Sequence, residues 1–322
     1  MSKYLVTGGA GFIGSHIVEE LLKKGDEVVI LDNFYTGKKG NLLFLESLKK
    51  EDKLRCKIID GDIRDLDLVM NTVRGCDYII HHAAIVIVSE SVFEPGLTND
   101  VNVNGTINIL MAAKEMNVKR VIFASSSAIY DEKYDLPHEE EKNILPYSSP
   151  YALTKYIGEL YLNLYNQIYG LETVCFRYFN VYGPRQDPKG EYAAVIPKFI
   201  TEILNGETPT IYGDGMQTRD FIYVKDVVRA NLLACQQDNI SGEVFNIGQG
   251  NNTSLEILLK KIKNIVKSDV SHKYDEARPG DVRYSIADIS KSKSILGLEP
   301  SFDLERGLKL VIKWFKRDLT SN

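Results

Sequence analysis

Residues 7–15 read Thr7-Gly-Gly-Ala-Gly-Phe-Ile-Gly-Ser15, with Gly8, Gly11 and Gly14 spaced GxxGxxG. The apolar run 3–7 precedes them, and Ser15-His-Ile-Val-Glu-Glu-Leu-Leu22 opens a helical pattern behind them. In a strand–turn–helix context, Gly8 permits a tight turn and Gly11 lets a pyrophosphate approach the backbone. Gly14 lets helix and strand pack closely. The helix N-terminus offers an anion its free amides and the positive end of its dipole. Phe12 and Ile13, between the last two glycines, are counted with this candidate dinucleotide cradle.

Working outward, a second apolar run at 27–32 ends on Asp32. An acid there accepts from the adenine-side ribose hydroxyls and repels a 2′-phosphate, which favours NAD over NADP. Further short apolar runs stand at 57–60, 78–82, 120–124 and 172–177. Helical patterns fit between runs at 14–24, 66–73, 104–116 and 151–169. Short continuous runs bounded by turn residues read as buried parallel strands. The βαβαβ order predicts an α/β fold with a doubly wound parallel sheet and ligands at the C-terminal ends of its strands. After about Asn180 the texture changes, with Gly, Pro and Tyr frequent through 212–215 and a helix expected at 195–205. Strand, helix and strand return at 221–223, 224–235 and 244–247. The expected division is a dinucleotide-binding Rossmann part at 1–180, with returning segments at about 221–247. A smaller, C-terminal substrate lobe takes 181–220 and 248–322.

The chain has 322 residues, enough for two lobes or one large α/β domain with an appended part. With 44% hydrophobic and 26% charged residues, it is neither disordered nor fibrous. Its formal net charge of −5 makes it a poor generic nucleic-acid binder. No apolar run approaches the roughly 18 residues that span a bilayer, and the N-terminal run enters the glycine motif rather than a cleavage site. Cys56, Cys76, Cys175 and Cys235 lack paired-ligand spacing, and the five histidines include no HExxH. The expectation is a cytoplasmic protein without a metal site, disulfide framework, nucleic acid or membrane partner.

Tyr151-Ala-Leu-Thr-Lys155 is a YxxxK pair. Positions four apart share a helix face. Lys155 is therefore expected near the Tyr151 hydroxyl, lowering a pKa normally near 10 and making Tyr151 a general base. A second match, Tyr35 with Lys39, falls in a glycine-containing loop and is set aside. Ser125-Ser126-Ser127 ends the fifth strand, where a hydroxyl can hold a substrate oxygen or relay its proton to Tyr151.

Together these residues resemble the extended short-chain dehydrogenase/reductase family, and within it the nucleotide-sugar 4-epimerases, over nearly the whole chain. The cofactor-side segments that resemble the family are 7–15, Asp32-Asn33, Asp62-Ile63, His81-His82-Ala83-Ala84 and Asn102-Val-Asn-Gly-Thr106. The catalytic segments are 125–130 and 151–155. Arg177-Tyr178-Phe179-Asn180, Gln186, Gly213-Asp-Gly215, Thr218-Arg219-Asp220-Phe221 and Arg278-Pro-Gly-Asp281 resemble the substrate side. The resemblance implies bound NAD, contacted also by Asn33, Asp62, Ile63, Ala83, Ala84, Asn102, Ser125 and Tyr178. It implies Ser126, Tyr151 and Lys155 as catalytic residues. Asn180, Arg219 and Arg278 would hold UDP, a planar guanidinium matching diphosphate oxygens.

The implied chemistry is transient oxidation at carbon 4 of the sugar, turnover of the keto sugar in the pocket, and reduction from the other face. Dehydratases of this type carry an Asp-Glu pair where this chain has Ser127 and Ala128, which argues against dehydration. The run Gln186 to Lys198, with Ala194 and Val195, resembles the UDP-N-acetylglucosamine 4-epimerase branch, as does Gly280-Asp281-Val-Arg-Tyr-Ser285. Ser285 is small where glucose-only epimerases are bulky, leaving room for an acetamido group. Tyr212 and Ser127 complete the implied substrate residues. Ile85-Val-Ile-Val88 and Asp131 depart from the pattern, the first being bulkier and more apolar than that branch. A UDP-hexose 4-epimerase acting on N-acetylated and plain sugars is thus expected, as a homodimer through helices at 98–116 and 151–169. A UDP-glucuronate 4-epimerase or decarboxylase, and an NAD-sensing protein without turnover, remain open at this point.

Overall fold

The computed structural model describes residues 1–130, 136–142, 144, 148–189, 193–277 and 282–321. Its first half alternates strand and helix: β1 (Lys3–Thr7), α1 (Phe12–Lys23), β2 (Glu27–Asp32), α2 (Lys50–Leu54), β3 (Cys56–Asp60), α3 (Leu66–Val73), β4 (Tyr78–His81), α4 (Val88–Phe93), α5 (Pro95–Asn99), α6 (Gly105–Glu115), β5 (Arg120–Ser126), α7 (Pro150–Tyr169) and β6 (Glu172–Tyr178). The second half holds β7 (Asn180–Tyr182), α8 (Val195–Leu204), β8 (Thr210–Tyr212), β9 (Thr218–Arg219), β10 (Phe221–Tyr223), α9 (Val224–Gln236), β11 (Glu243–Ile247), β12 (Thr253–Ser254), α10 (Leu255–Val266), β13 (Lys273–Asp275), α11 (Ser290–Ser294) and α12 (Leu304–Ser321).

Seven strands form one sheet in the order β11-β6-β5-β4-β1-β2-β3, and every pairing in it is parallel. This is the doubly wound parallel order expected from the alternation, and its direction reverses between β1 and β4. The inner strands β1, β2, β4 and β5 are buried along most of their length because both faces are covered, whereas the edge strand β3 is largely exposed. Alternate residues face opposite ways: Tyr4, Val6, Val28 and Ile30 pack with Ile17, Leu21 and Val227 of α1 and α9. Leu5, Val29, Leu31 and Val121 pack with Val69, Ile109 and Leu162 of α3, α6 and α7. A third apolar cluster joins Phe199 and Ile203 of α8, Leu258 and Ile262 of α10, and Leu308 and Phe315 of α12.

Two local departures bear on the site. The helix expected from 104 instead continues α5 through a π-type turn at Asp100–Asn104 into α6. Such turns redirect a side chain, and here Asn102 points at the Ile85 backbone. Strand β10 does not enter the central sheet but pairs with β7, whereas β11 takes the sheet edge beside β6.

Candidate active site

The glycine turn stands where the sequence places it. Gly8 has φ +67°, and a Cβ there would lie 2.8 Å from the Ala83 nitrogen; one on Gly14 would lie 2.2 Å from the Gly8 carbonyl oxygen. Gly11 is the N-cap of α1 and brings no side chain to cap it, so the first-turn amides are available to an anion. Asp32, at the end of β2, accepts from the amides of Ala10 and Phe34, both at 2.9 Å. Its burial pushes its pKa up, with those two amides opposing. Asn33 donates to Asp62 at 2.8 Å. Hydrogen bonds from Arg64 hold the Asp62 carboxyl down at about 2.

These residues line a cavity of about 500 Å³ at the C-terminal ends of the strands, within the usual range for small-molecule sites. Gly8, Gly11, Phe12, Ile13, Gly14, Asp32, Asn33, Asp62, Ile63, Ala83, Ala84, Ser125, Ser126, Tyr151, Lys155 and Tyr178 all belong to its wall. Asn102 does not. Its carboxamide is spent on the Ile85 amide at 2.8 Å, the Ile85 carbonyl at 3.0 Å and Thr154 at 3.1 Å. It shapes the wall from behind.

Helix α7 presents the catalytic candidates because its start is well specified. Ser149 accepts from the Ala152 amide as N-cap, and Pro150 occupies the first turn. Tyr151 and Ser126 both line the cavity, where the serine acts to lower the tyrosine's pKa; the Ser126 oxygen accepts from the Ala128 amide at 3.1 Å. Lys155 donates to the Ala124 carbonyl at 2.7 Å, with its nitrogen 5.9 Å from the Tyr151 ring centroid. Burial pushes the Tyr151 hydroxyl above 10, only partly opposed by Ser126. This corrects the expectation of a lowered pKa: without ligand, desolvation prevails and the lysine is turned to a carbonyl. The Lys155 ammonium is brought down to about 7 by burial, with Glu159 opposing. Tyr178 stacks on His82 at 5.6 Å and accepts from Asn231 at 2.8 Å.

A second cavity of about 230 Å³ is lined by Asn180, Gln186, Ala194, Val195, Lys198, Tyr212 and Arg219 among others. Val181 and Gln186 border both cavities. Ser127 and Ser285 line neither. Ser285 is buried in a segment pinned by the Thr218 amide on the Arg283 carbonyl at 3.0 Å and the His138 amide on the Ile286 carbonyl at 2.9 Å. Arg278 and Asp281 lie outside the described residues, as does Asp131. The sequence reading missed Tyr35, Gly37 and Arg64 in the first cavity, and Thr210 and Gln217 in the second. Gly37 carried only its identity as a loop glycine; the structure supplies the reason, since a Cβ there would lie 2.5 Å from Asp32 Oδ1. Thr210 carried none.

Among the described residues, no helix is long and apolar enough to cross a membrane. Among the same residues, no group of three or more His, Cys, Asp or Glu is placed to hold a metal.

Residues 4–248 match the NAD dependent epimerase/dehydratase family. The chain is 45% identical over 316 residues to a putative UDP-glucose 4-epimerase of Methanocaldococcus jannaschii, covering 98% of each. It is similar to the solved UDP-N-acetylglucosamine 4-epimerase of Methanobrevibacter ruminantium M1 in complex with UDP-N-acetylmuramic acid. That match has a TM-score of 0.92 and 43% identity, covering 98% of this chain and 99% of that one. A UDP-glucose 4-epimerase of Thermotoga maritima with UDP-glucose matches with a TM-score of 0.91 and 40% identity, over 98% and 99%. The tight turn at Gly8, the open amides of α1 and the acid closing β2 fit the dinucleotide that this family carries. The chain is an NAD-dependent epimerase and belongs to the NAD dependent epimerase/dehydratase family.

Proposed function

We propose that this chain is a UDP-sugar 4-epimerase that interconverts UDP-N-acetylglucosamine with UDP-N-acetylgalactosamine, and UDP-glucose with UDP-galactose. One observation carries the reading. Ser126, Tyr151 and Lys155 together line a cavity of about 500 Å³ that shares Val181 and Gln186 with a second, smaller one. A UDP held in the second cavity would direct its sugar across that shared wall into the cavity that Ser126 and Tyr151 line. One similar structure is named a UDP-N-acetylglucosamine 4-epimerase and another a UDP-glucose 4-epimerase, which supports both substrates.

In this reading Lys198 and Arg219 face the diphosphate, with Asn180 and Gln186 beside them. Arg278 and Asp281 are assigned to the same task by resemblance alone. NAD, when bound, supplies a hydride acceptor that returns the hydride within the same turnover. Tyr151 Oη takes the proton of the sugar 4-hydroxyl and later gives it back. Ser126 holds the oxygen as its bonding changes, and Lys155 provides the charge that favours the ionised tyrosine once the site is filled. Ile85 and Val86 form an aliphatic stretch of the first cavity wall. Such a wall excludes water and offers no hydrogen bond to hold one face of the sugar.

The proposed assembly is a homodimer. Leu153, Leu160, Leu164 and Ile168 of α7 are exposed, as is Met111 on the neighbouring α6. The cytoplasm is the proposed compartment, supported by four free thiols.

The test is proton NMR of the purified protein with UDP-N-acetylglucosamine and, separately, UDP-glucose, without added NAD. Galacto anomeric signals are expected from both. Tyr151→Phe should retain UDP-sugar binding by calorimetry while turnover falls by about 10²–10⁴-fold. Conversion of UDP-glucose alone removes the N-acetyl part of the reading and points to Ile85–Val88. Conversion of neither, even with NAD added, removes both hexose assignments and makes UDP-glucuronate the next substrate to try.

A further inference from the structure

Behind the catalytic pair lies a buried ion pair that the chemistry above does not use. Tyr151, Lys155 and Glu159 fall on successive turns of one face of α7. Glu159 is 5% exposed and Arg177, on β6, 2%. Arg177 grips the carboxylate with both prongs of its fork: Nε donates to Oε1 at 3.0 Å and Nη2 to Oε2 at 2.7 Å. The Ser125 hydroxyl donates to the same Oε1. The other arm of the guanidinium donates to the Tyr130 hydroxyl at 2.8 Å and the Glu140 carbonyl at 2.7 Å. One carboxylate thus joins the helix of Tyr151 and Lys155 to the end of the strand that bears Ser126. It also holds the strand that continues into Tyr178.

We infer that Glu159 is a positioning residue: clamped by Arg177, it holds the Ser125–Ser126 strand end against Tyr151 and supplies the counter-charge for the Lys155 ammonium. A buried ion pair is by itself weak evidence for stability. Here its partners argue for placement, because Ser125 is the neighbour of the catalytic serine and Glu159 lies one turn beyond the catalytic lysine. The groups facing Lys155 are Tyr151 and Glu159 on its own helix and His81 and His82 at the end of β4. Burial holds both imidazoles neutral, down at about 3, with Lys155 adding to the effect. The negative charge that favours the ammonium therefore comes from Glu159. Arg177 stands behind that carboxylate, and Cys175 on the same strand is a thiol raised well above its usual range by burial.

This inference rests on the epimerase reading for its kinetic test but not for its titration. In ¹⁵N-lysine-labelled, ligand-free protein, the Lys155 resonance is assigned by its loss in Lys155→Met. In Glu159→Gln it should titrate about one pH unit lower than in wild type. The basic limb of kcat against pH should move the same way. At neutral pH kcat should fall on the order of 10-fold, with KM changed less than about two-fold. Ser125→Ala, which leaves the ion pair intact, should lower kcat at constant KM without moving the limb. A folded Glu159→Gln with an unmoved lysine titration and an unmoved limb overturns the inference. So does a loss in which kcat and Tm fall together while the limb stays. If Glu159→Gln does not fold, Glu159→Asp decides: a Lys155 titration and a basic limb both moved from wild type support the inference, and both unmoved overturn it. A wild type that turns over no UDP-sugar removes the functional reading, and the ligand-free titration still judges the role of Glu159.

Discussion

Lys155 shows how burial sets chemistry residue by residue. Its side chain is enclosed beneath the Phe123 and Tyr151 rings, hydrogen-bonded to a backbone carbonyl, and its pKa drops from 10.5 to about 7. The unfolded chain keeps the ordinary value, so between pH 7 and 10.5 it binds more protons at this position than the folded protein does. Stability rises with pH wherever the unfolded state holds more protons. Through this residue, the ligand-free protein should therefore gain stability as pH rises across that window. Urea unfolding at pH 7 and pH 9 checks the sign: the gain should be visible in wild type and smaller in Lys155→Met. Equal slopes would mean that the ammonium is solvated in the native state. Motif spacing put Lys155 beside Tyr151, but it contained nothing about the carbonyl that the lysine turns to or the burial that lifts the tyrosine.

At the scale of elements, α1 and α7 do most of the positioning. Helix α1 starts on a glycine and needs a second glycine, Gly14, where it crosses the preceding turn. Replacing Gly14 by alanine would ordinarily favour a helix by about 1 kcal/mol. The new Cβ would lie 2.2 Å from a backbone oxygen, and overpacking against atoms that cannot swing aside costs about 1–3 kcal/mol. The clash should win. Gly14→Ala should lower Tm and weaken NAD binding together, measured by thermal unfolding and calorimetry; an unchanged Tm would show that the turn can relax. Helix α7 was legible almost to its ends, because Ser149-Pro150 starts it and Gly170, in the left-handed region, stops it. The π-type turn at Asp100–Asn104 was not. It satisfies Asn102 against the Ile85 backbone, a partner 17 residues away.

For the whole molecule, the open question of assembly turns on one face. Leu153, Leu160, Leu164 and Ile168 leave an exposed apolar stripe on α7, and the proposed dimer would cover it. Sedimentation at micromolar concentration should give a dimer for wild type and a monomer for the double substitution Leu160→Arg, Leu164→Arg. A monomeric wild type would refute the assembly. Lys155 and Glu159 of the same helix are buried, so the variant monomer should keep its fold.

Sequence alone determined the central sheet, the glycine cradle and the Tyr151–Lys155 helix. Each follows from interactions within a few residues: apolar runs buried on both faces, a turn that tolerates only glycine, a helix with its cap and stop. Two strands have the bounds expected of them, Lys3–Thr7 and Glu27–Asp32. What only the tertiary structure decided depends on residues far apart in the chain. The junction of the two cavities at Val181 and Gln186 is one case, and the displacement of Asn102 and Ser285 from the walls is another. The grip of Arg177 on Glu159 behind Ser126 and Tyr151 is a third. Local propensity cannot choose among such partners, because the free energy that selects them is released only when the layers close over one another.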